Sequence, residues 1–263
     1  MKIRINIVDA FTEMRFKGNS AAVIITEEWL SKDLMQSIAA ENNLSETAYI
    51  IKSGNDDYQI RWFTPFTEIG FCGHATLASA FVIFSKNSEI NKINIFAKSV
   101  GKMNIHKKDD GYIEMSFPNR KPSPIEKAPN ELIEGLSLEP ERFLLNTQAY
   151  FAVYKKEADI VNVRQNYDYL EKLAPYDVVV TAKSEKYDFI SRYFWQGHGG
   201  GEDPVTGSIH TGLAPFWSEQ LKKNQLIAYQ ASKRGGILAC RVTDNKVFIS
   251  GKAIHYLEGH INV

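Results

Sequence analysis

Phe71-Cys72-Gly73-His74-Ala75-Thr76-Leu77-Ala78-Ser79-Ala80-Phe81-Val82-Ile83-Phe84 opens on a glycine and a polar tip, then turns small and apolar on every side. A helix that is apolar all round has no wet face, so this one is expected inside a layer of other structure. Its start would then be a buried helix N-terminus, with backbone N–H groups free to hold an anion. A weaker copy follows about half a chain later, as Thr206-Gly207-Ser208-Ile209-His210-Thr211-Gly212-Leu213-Ala214-Pro215-Phe216. Aligning Gly73 with Gly207 sets His74 opposite Ser208 and Ala80 opposite Ala214. Two such tips facing one cleft would make a site for a small carboxylate.

The segments around the first helix read as strands. Lys2 to Asp9 alternates apolar and polar residues, and Ser20 to Ile25 reads as its returning neighbour after a loop with Gly18-Asn19. Ser31 can cap a helix carrying Leu34, Met35 and Ile38 at helical spacing, which runs out at Asn42-Asn43. Leu44 to Ile51 is then extended, and Tyr58 to Phe63 is rich in aromatic and β-branched residues. Ile93 to Phe96, Lys102 to Ile105 and Tyr112 to Phe117 form a meander with turns at Gly101 and Asp110-Gly111. Pro118, Pro122, Pro124 and Pro129 crowd one polar stretch that suits neither helix nor sheet interior. The expected division is therefore a first half at 1–118, a proline-rich linker at 119–129 and a second half at 130–263. The second half repeats the grammar, with strands near Phe143 to Tyr154, Asp177 to Thr181 and Phe189 to Trp195, a helix near Tyr167 to Leu173, then its own glycine-led helix and three closing strands. The fold class is α+β, with two similar halves, each several strands around one small-residue helix.

Composition excludes several classes. The 263 residues are 44% hydrophobic and 24% charged, with 31 basic against 31 acidic residues and no basic concentration, so neither nucleic acid nor anionic membrane is expected as a partner. The longest apolar run, Ala75 to Phe84, is far too short to span a bilayer, and the first residues lack the apolar core of a signal peptide. Two cysteines, Cys72 and Cys240, cannot build a disulfide framework; the chain reads as cytoplasmic and reduced.

Asn43-Leu44-Ser45-Glu46-Thr47-Ala48, Phe63-Thr64-Pro65, Cys72-Gly73-His74-Ala75-Thr76-Leu77-Ala78 and Gly201-Glu202-Asp203-Pro204-Val205-Thr206-Gly207-Ser208 together resemble the PhzF-like (phenazine-biosynthesis-like) isomerase family, in the family's order. Gly18-Asn19 resembles the family's Gly-Asn-Pro element, with Ser20 in place of the proline. The resemblance implies the fold of diaminopimelate epimerase, with two halves, each a barrel-like sheet around a central helix, and the site between them. It implies a cofactor-independent isomerase, with no metal, acting on a small carboxylate-bearing metabolite. Family members are commonly dimeric, which makes a homodimer an expectation by resemblance alone.

The resemblance gives Glu46 the role of acid and base. The residues by themselves leave two readings: alternation puts most strand glutamates on a wet face, whereas burial between Leu44 and Tyr49 would tune a carboxyl toward neutrality. His74 is by its residues a satisfied polar group at a helix start or a metal ligand paired with Cys72; Cys-Gly-His is too short a ligand set for zinc. The resemblance makes it a polar partner of substrate. Asp203 would be its counterpart in the second half, although Asp203-Pro204 also suits a turn and helix N-cap. Ser208 would line the second tip, and Gly73 and Gly207 would let backbone amides approach a carboxylate. Cys72 resembles one of the two facing thiols of diaminopimelate epimerase, but the second position falls near Asp203, so packing is the expected role.

His198-Gly199-Gly200-Gly201 has no Gly-x-Ser-x-Gly elbow to serve and lacks dinucleotide spacing, so it reads as a hinge. Two other functions fit the same residues. One is a one-base amino-acid epimerase; the other is a catalytically silent protein that binds a small ligand or a partner.

Overall fold

The computed structural model describes residues 1–196 and 201–263. The chain forms two compact units, Met1–Phe117 with Ser250–Val263, and Pro118–Ile249.

The first unit runs β1 (Lys2–Ala10), β2 (Asn19–Thr26), α1 (Lys32–Asn42), β3 (Glu46–Lys52), β4 (Asp57–Phe63), β5 (Glu68–Ile69), α2 (Gly73–Lys86), β6 (Lys92–Ala97), β7 (Gly101–Lys107) and β8 (Ile113–Pro118). In the second unit lie β9 (Ser123–Pro124), α3 (Asn130–Glu134), β10 (Arg142–Leu145), β11 (Ala149–Val153), α4 (Glu157–Asn162), α5 (Tyr167–Leu170), β12 (Asp177–Lys183), β13 (Phe189–Trp195), β14 (Gly201–Asp203), α6 (His210–Leu221), β15 (Gln225–Gln230) and β16 (Gly236–Val242), and β17 (Lys246–Gly251) runs from the second unit into the first. The last strand, β18 (Ala253–Asn262), pairs antiparallel with β1.

The helix α2 organises the first unit. Gly73 through Ala80 are all buried, and the helix touches β1, β2, β3 and β18. Leu77 has no exposed surface; truncating such a side chain to alanine costs about 2–5 kcal/mol. Two hydroxyls in this dry setting bond back to the helix itself, Thr76 to the carbonyl of Cys72 and Ser79 to that of Ala75, each at 2.6 Å. The preceding helix α1 starts on Ser31, whose Oγ accepts from the Leu34 amide at 3.3 Å, and stops where Asn43 turns left-handed at φ 46°.

The strand pairing repeats from one unit to the next. In the first, β1 is antiparallel to β2, β2 parallel to β3, β3 antiparallel to β4, β4 parallel to β6 and β6 antiparallel to β7. The second has the same succession in β10, β11, β12, β13, β15 and β16. The short β5 and β14 occupy matching places, antiparallel to β4 and β13. The duplication is thus in the register, and it sets Glu46, opposite Ala21, in the place that Asp177 holds opposite Ala149.

The central helix of the second unit, α6, contains Pro215. Proline has no N–H for the carbonyl four residues back. That carbonyl, on Thr211, instead accepts from the Arg120 amide at 3.1 Å. Trp217 is buried on the same helix, its Nε1 donating to Thr181 Oγ1 at 2.9 Å.

Three expectations change. The second half does not extend to residue 263, because β18 completes the sheet of the first unit. The stretch 119–129 is not a free linker: Ser123–Pro124 pairs with Leu144–Leu145 in the second unit. The helix expected from Gly207 begins at His210, because the amides of His210 and Thr211 bond three residues back, to Gly207 and Ser208, in a tighter turn. His198, Gly199 and Gly200, read as a hinge, lie outside the described residues.

Candidate active site

Glu46 is the first residue of β3, and its side chain is 14% exposed. His74 lies in the first turn of α2, only 4% exposed. Their side chains meet, with Nε2 of His74 2.7 Å from Oε2 of Glu46. This is an ion-pair distance; Oε2 is fully enclosed, and among the described residues no hydrogen-bond donor, His74 included, is aligned on it. Burial opposes a charged imidazole here, but contact with Cys72 and Glu46 outweighs it and lifts His74 well above the ordinary imidazole value. The glutamate is therefore the half-buried member of the pair, not the wet-face residue that strand alternation favours.

Asn19 completes this group. Its amide Nδ2 is 3.1 Å from Nδ1 of His74, and its Oδ1 accepts from the Ser45 hydroxyl at 3.1 Å. The turn that delivers it depends on Gly18, at φ 65°, where a Cβ would sit 2.1 Å from the Ala10 carbonyl oxygen. Ser20, in the place of the family's proline, donates its hydroxyl to Asp9, a bond that proline could not make. Asn19 was legible as part of a motif; its bond to His74 was not, because nothing in spacing links a strand start to a helix tip.

Cys72 is the N-cap of α2. Its Sγ accepts from the Ala75 amide at 3.4 Å and lies 3.4 Å from Nδ1 of His74. Burial first, then the Glu46 charge, push its thiol up to about 11, against the opposing pull of His74, so it is a neutral cap and no thiolate. The donor atoms of Glu46, Cys72 and His74 lie within 4.8 Å of one another. Sequence spacing lacked this third donor, and the set could supply three ligands to a zinc ion. Each member also has a role without one: capping for Cys72, mutual pairing for Glu46 and His74.

The second unit gathers its own polar set. Asp203 ends β14, half-buried, and accepts from the Thr206 hydroxyl, while its carbonyl accepts from Gln230 Nε2 at 2.8 Å. It is a strand end and not the N-cap of α6, which starts seven residues later, at His210. Ser208 lies in the turn before α6, and Gly207 beside it is buried. Gln148 Nε2 bonds Ser208 Oγ at 2.9 Å and Tyr193 Oη at 3.0 Å. Tyr193 in turn donates to Asp177, whose carboxyl burial pushes up against the pull of that bond and of the Gln196 amide. Asp177, Tyr193, Gln148, Thr206 and Gln230 were not singled out from sequence; they are ordinary polar residues until the strands are paired.

The family described as phenazine biosynthesis-like protein matches residues 8–259. The chain belongs to that family. An uncharacterized isomerase of Pseudomonas aeruginosa is 41% identical over 264 residues, all of both chains. A solved PhzF family protein from Enterococcus faecalis superposes with a TM-score of 0.94 at 40% identity, also over the whole of both chains. A hydroxyproline epimerase from Agrobacterium vitis, solved with bound trans-4-OH-L-proline, shares the fold at a TM-score of 0.61 and 10% identity, covering 99% of this chain and 91% of that one. The phenazine biosynthesis-like family and the epimerase-type α+β fold are thus those implied by the four motifs. Among the described residues, no helix is long and apolar enough to cross a membrane.

Proposed function

We propose that this phenazine biosynthesis-like protein is a cofactor-independent isomerase that shifts a proton on a small carboxylate-bearing metabolite, with Glu46 as acid and base. The observation that carries the reading is the buried 2.7 Å contact of Glu46 with His74 at the tip of α2. An isomerase needs a group that accepts a proton from one carbon and returns it to another, and a carboxyl held in a half-buried site does both. His74 occupies Oε2, which leaves Oε1 to take the proton. The C–H electrons pass into the conjugated substrate as an enolate or enamine, and the Glu46 proton is then delivered at the second carbon. Fixed dipoles stabilise that intermediate: the amides at Gly73 and Gly207 and the hydroxyl of Ser208, with Asp203 and His74 orienting polar groups of the substrate.

A one-base epimerase would use the same residues to return the proton to the carbon it left. Deuterium incorporation separates the two: an isomerase labels a different carbon, an epimerase the α-carbon. A thermal-shift screen of anthranilate-like, amino and hydroxy acids on wild type and Glu46→Gln identifies the ligand class first. Ligand binding by both proteins, with label entering only in wild type, is the expected result. Equal behaviour of both in every respect would instead make the protein a silent binder.

A further inference from the structure

A carboxamide has one accepting and one donating end, and a neutral imidazole has one of each. In the first unit Asn19 and His74 bring two such groups together. Oδ1 of Asn19 accepts from the Ser45 hydroxyl at 3.1 Å, and its donor end, Nδ2, faces Nδ1 of His74 at 3.1 Å. An Nδ1 that accepts leaves the ring's hydrogen on Nε2, the nitrogen 2.7 Å from Glu46. Asn19 and His74 are both buried, with no competing water expected at either side chain.

We infer that Asn19, anchored by Ser45, is the positioning residue that keeps the His74 hydrogen on Nε2, facing Glu46. Without it, Nδ1 would be free to carry the hydrogen toward Cys72 Sγ, 3.4 Å away, and Glu46 would face a bare ring nitrogen. The second unit contains a parallel device: Gln148, just before β11, bonds the Ser208 side chain at the matching helix tip. The consequence for proton transfer rests on the isomerase reading; the position of the hydrogen does not.

The test is a long-range proton–nitrogen correlation spectrum of the full chain labelled with 15N-histidine, titrated until His74 is neutral. His74 is assigned by the signals lost in His74→Gln. In wild type the neutral ring should carry hydrogen on Nε2 and none on Nδ1. Asn19→Asp, similar in shape but accepting at both oxygens, should move the hydrogen to Nδ1 and raise the pH of titration by about one unit, tenfold in proton affinity. Asn19→Leu should give a mixture of the two tautomers. A wild-type ring with hydrogen on Nδ1 overturns the inference, and needs no variant to fold; so does an Asn19→Asp ring unchanged from wild type. Deuterium exchange into a carboxylate, measured on the same samples, is a separate readout. An Nε2–H ring in a protein that exchanges nothing would remove the isomerase reading and leave this inference standing.

Discussion

Oε2 of Glu46 and Nε2 of His74 meet at 2.7 Å, although one residue opens a strand and the other sits in the first turn of a helix. The apolar helix α2 makes this meeting close: its small residues let β2 and β3 approach its tip, and the strand start brings Glu46 with them.

That contact links stability to pH. His74 is raised above its unfolded value near 6.5, so its contribution is fully present below that value and is lost as pH rises through the folded value. Glu46→Gln removes the anionic partner and should flatten the loss. Urea midpoints of the two proteins measured from pH 6 upward should converge on the alkaline side; parallel curves would mean that Glu46 does not hold the His74 proton.

His210 works in the opposite direction. It is fully buried, its Nδ1 pairs with the Thr206 carbonyl at 2.9 Å, and burial lowers it from 6.5 to about 4. The folded state holds this ring neutral, so stability present above 6.5 is lost as pH falls toward 4, up to the order of 3 kcal/mol. His210→Gln, which cannot take a proton in this range, should lose less stability across that interval. A variant that unfolds with acid as steeply as wild type would place the acid sensitivity elsewhere.

Gly18→Ala should damage the site through the backbone. The new Cβ would need a left-handed φ and a place 2.1 Å from the Ala10 oxygen. A loss of about 1–3 kcal/mol is expected, with Asn19 displaced from His74. Unchanged melting together with an unchanged His74 nitrogen spectrum would show that the loop absorbs the side chain.

Cys72 should be chemically quiet. Its thiol, pushed up to about 11 and 6% exposed, should resist alkylation at pH 8 until the protein unfolds. Proton exchange should persist in Cys72→Ala and in protein treated with a chelator, as a proton shuttle of Glu46 without metal requires. Loss of exchange with chelator, restored by zinc, would turn Glu46, Cys72 and His74 into a ligand set.

The central helix was legible because its residues admit one environment: Gly73 to Phe84 have no polar face to show to water. The repeat was legible in outline from its second glycine-led segment, and strand register makes it firm. What sequence concealed was closure. Ala253–Asn262 is half exposed and carries charge and histidine among its apolar residues, so no clean alternation marks it as the strand that returns to β1. The prolines at 122 and 124 suggested a linker because proline interrupts sheet interiors; Ser123–Pro124 instead lies on a short two-residue strand. Among the candidate residues, Glu46 and His74 in the first unit and Asp203 and Ser208 in the second came from motif resemblance. The residues that hold them, Asn19, Gln148 and Tyr193, emerge only when strands distant in sequence are laid side by side.

The most direct measurement is deuterium incorporation from heavy water into a carboxylate ligand found by thermal shift, with wild type and Glu46→Gln run together. Label is expected in wild type, with a loss of about 10²–10⁴-fold in Glu46→Gln and ligand binding retained. Equal incorporation by both proteins would contradict it, because the proton would then be carried by a group other than Glu46.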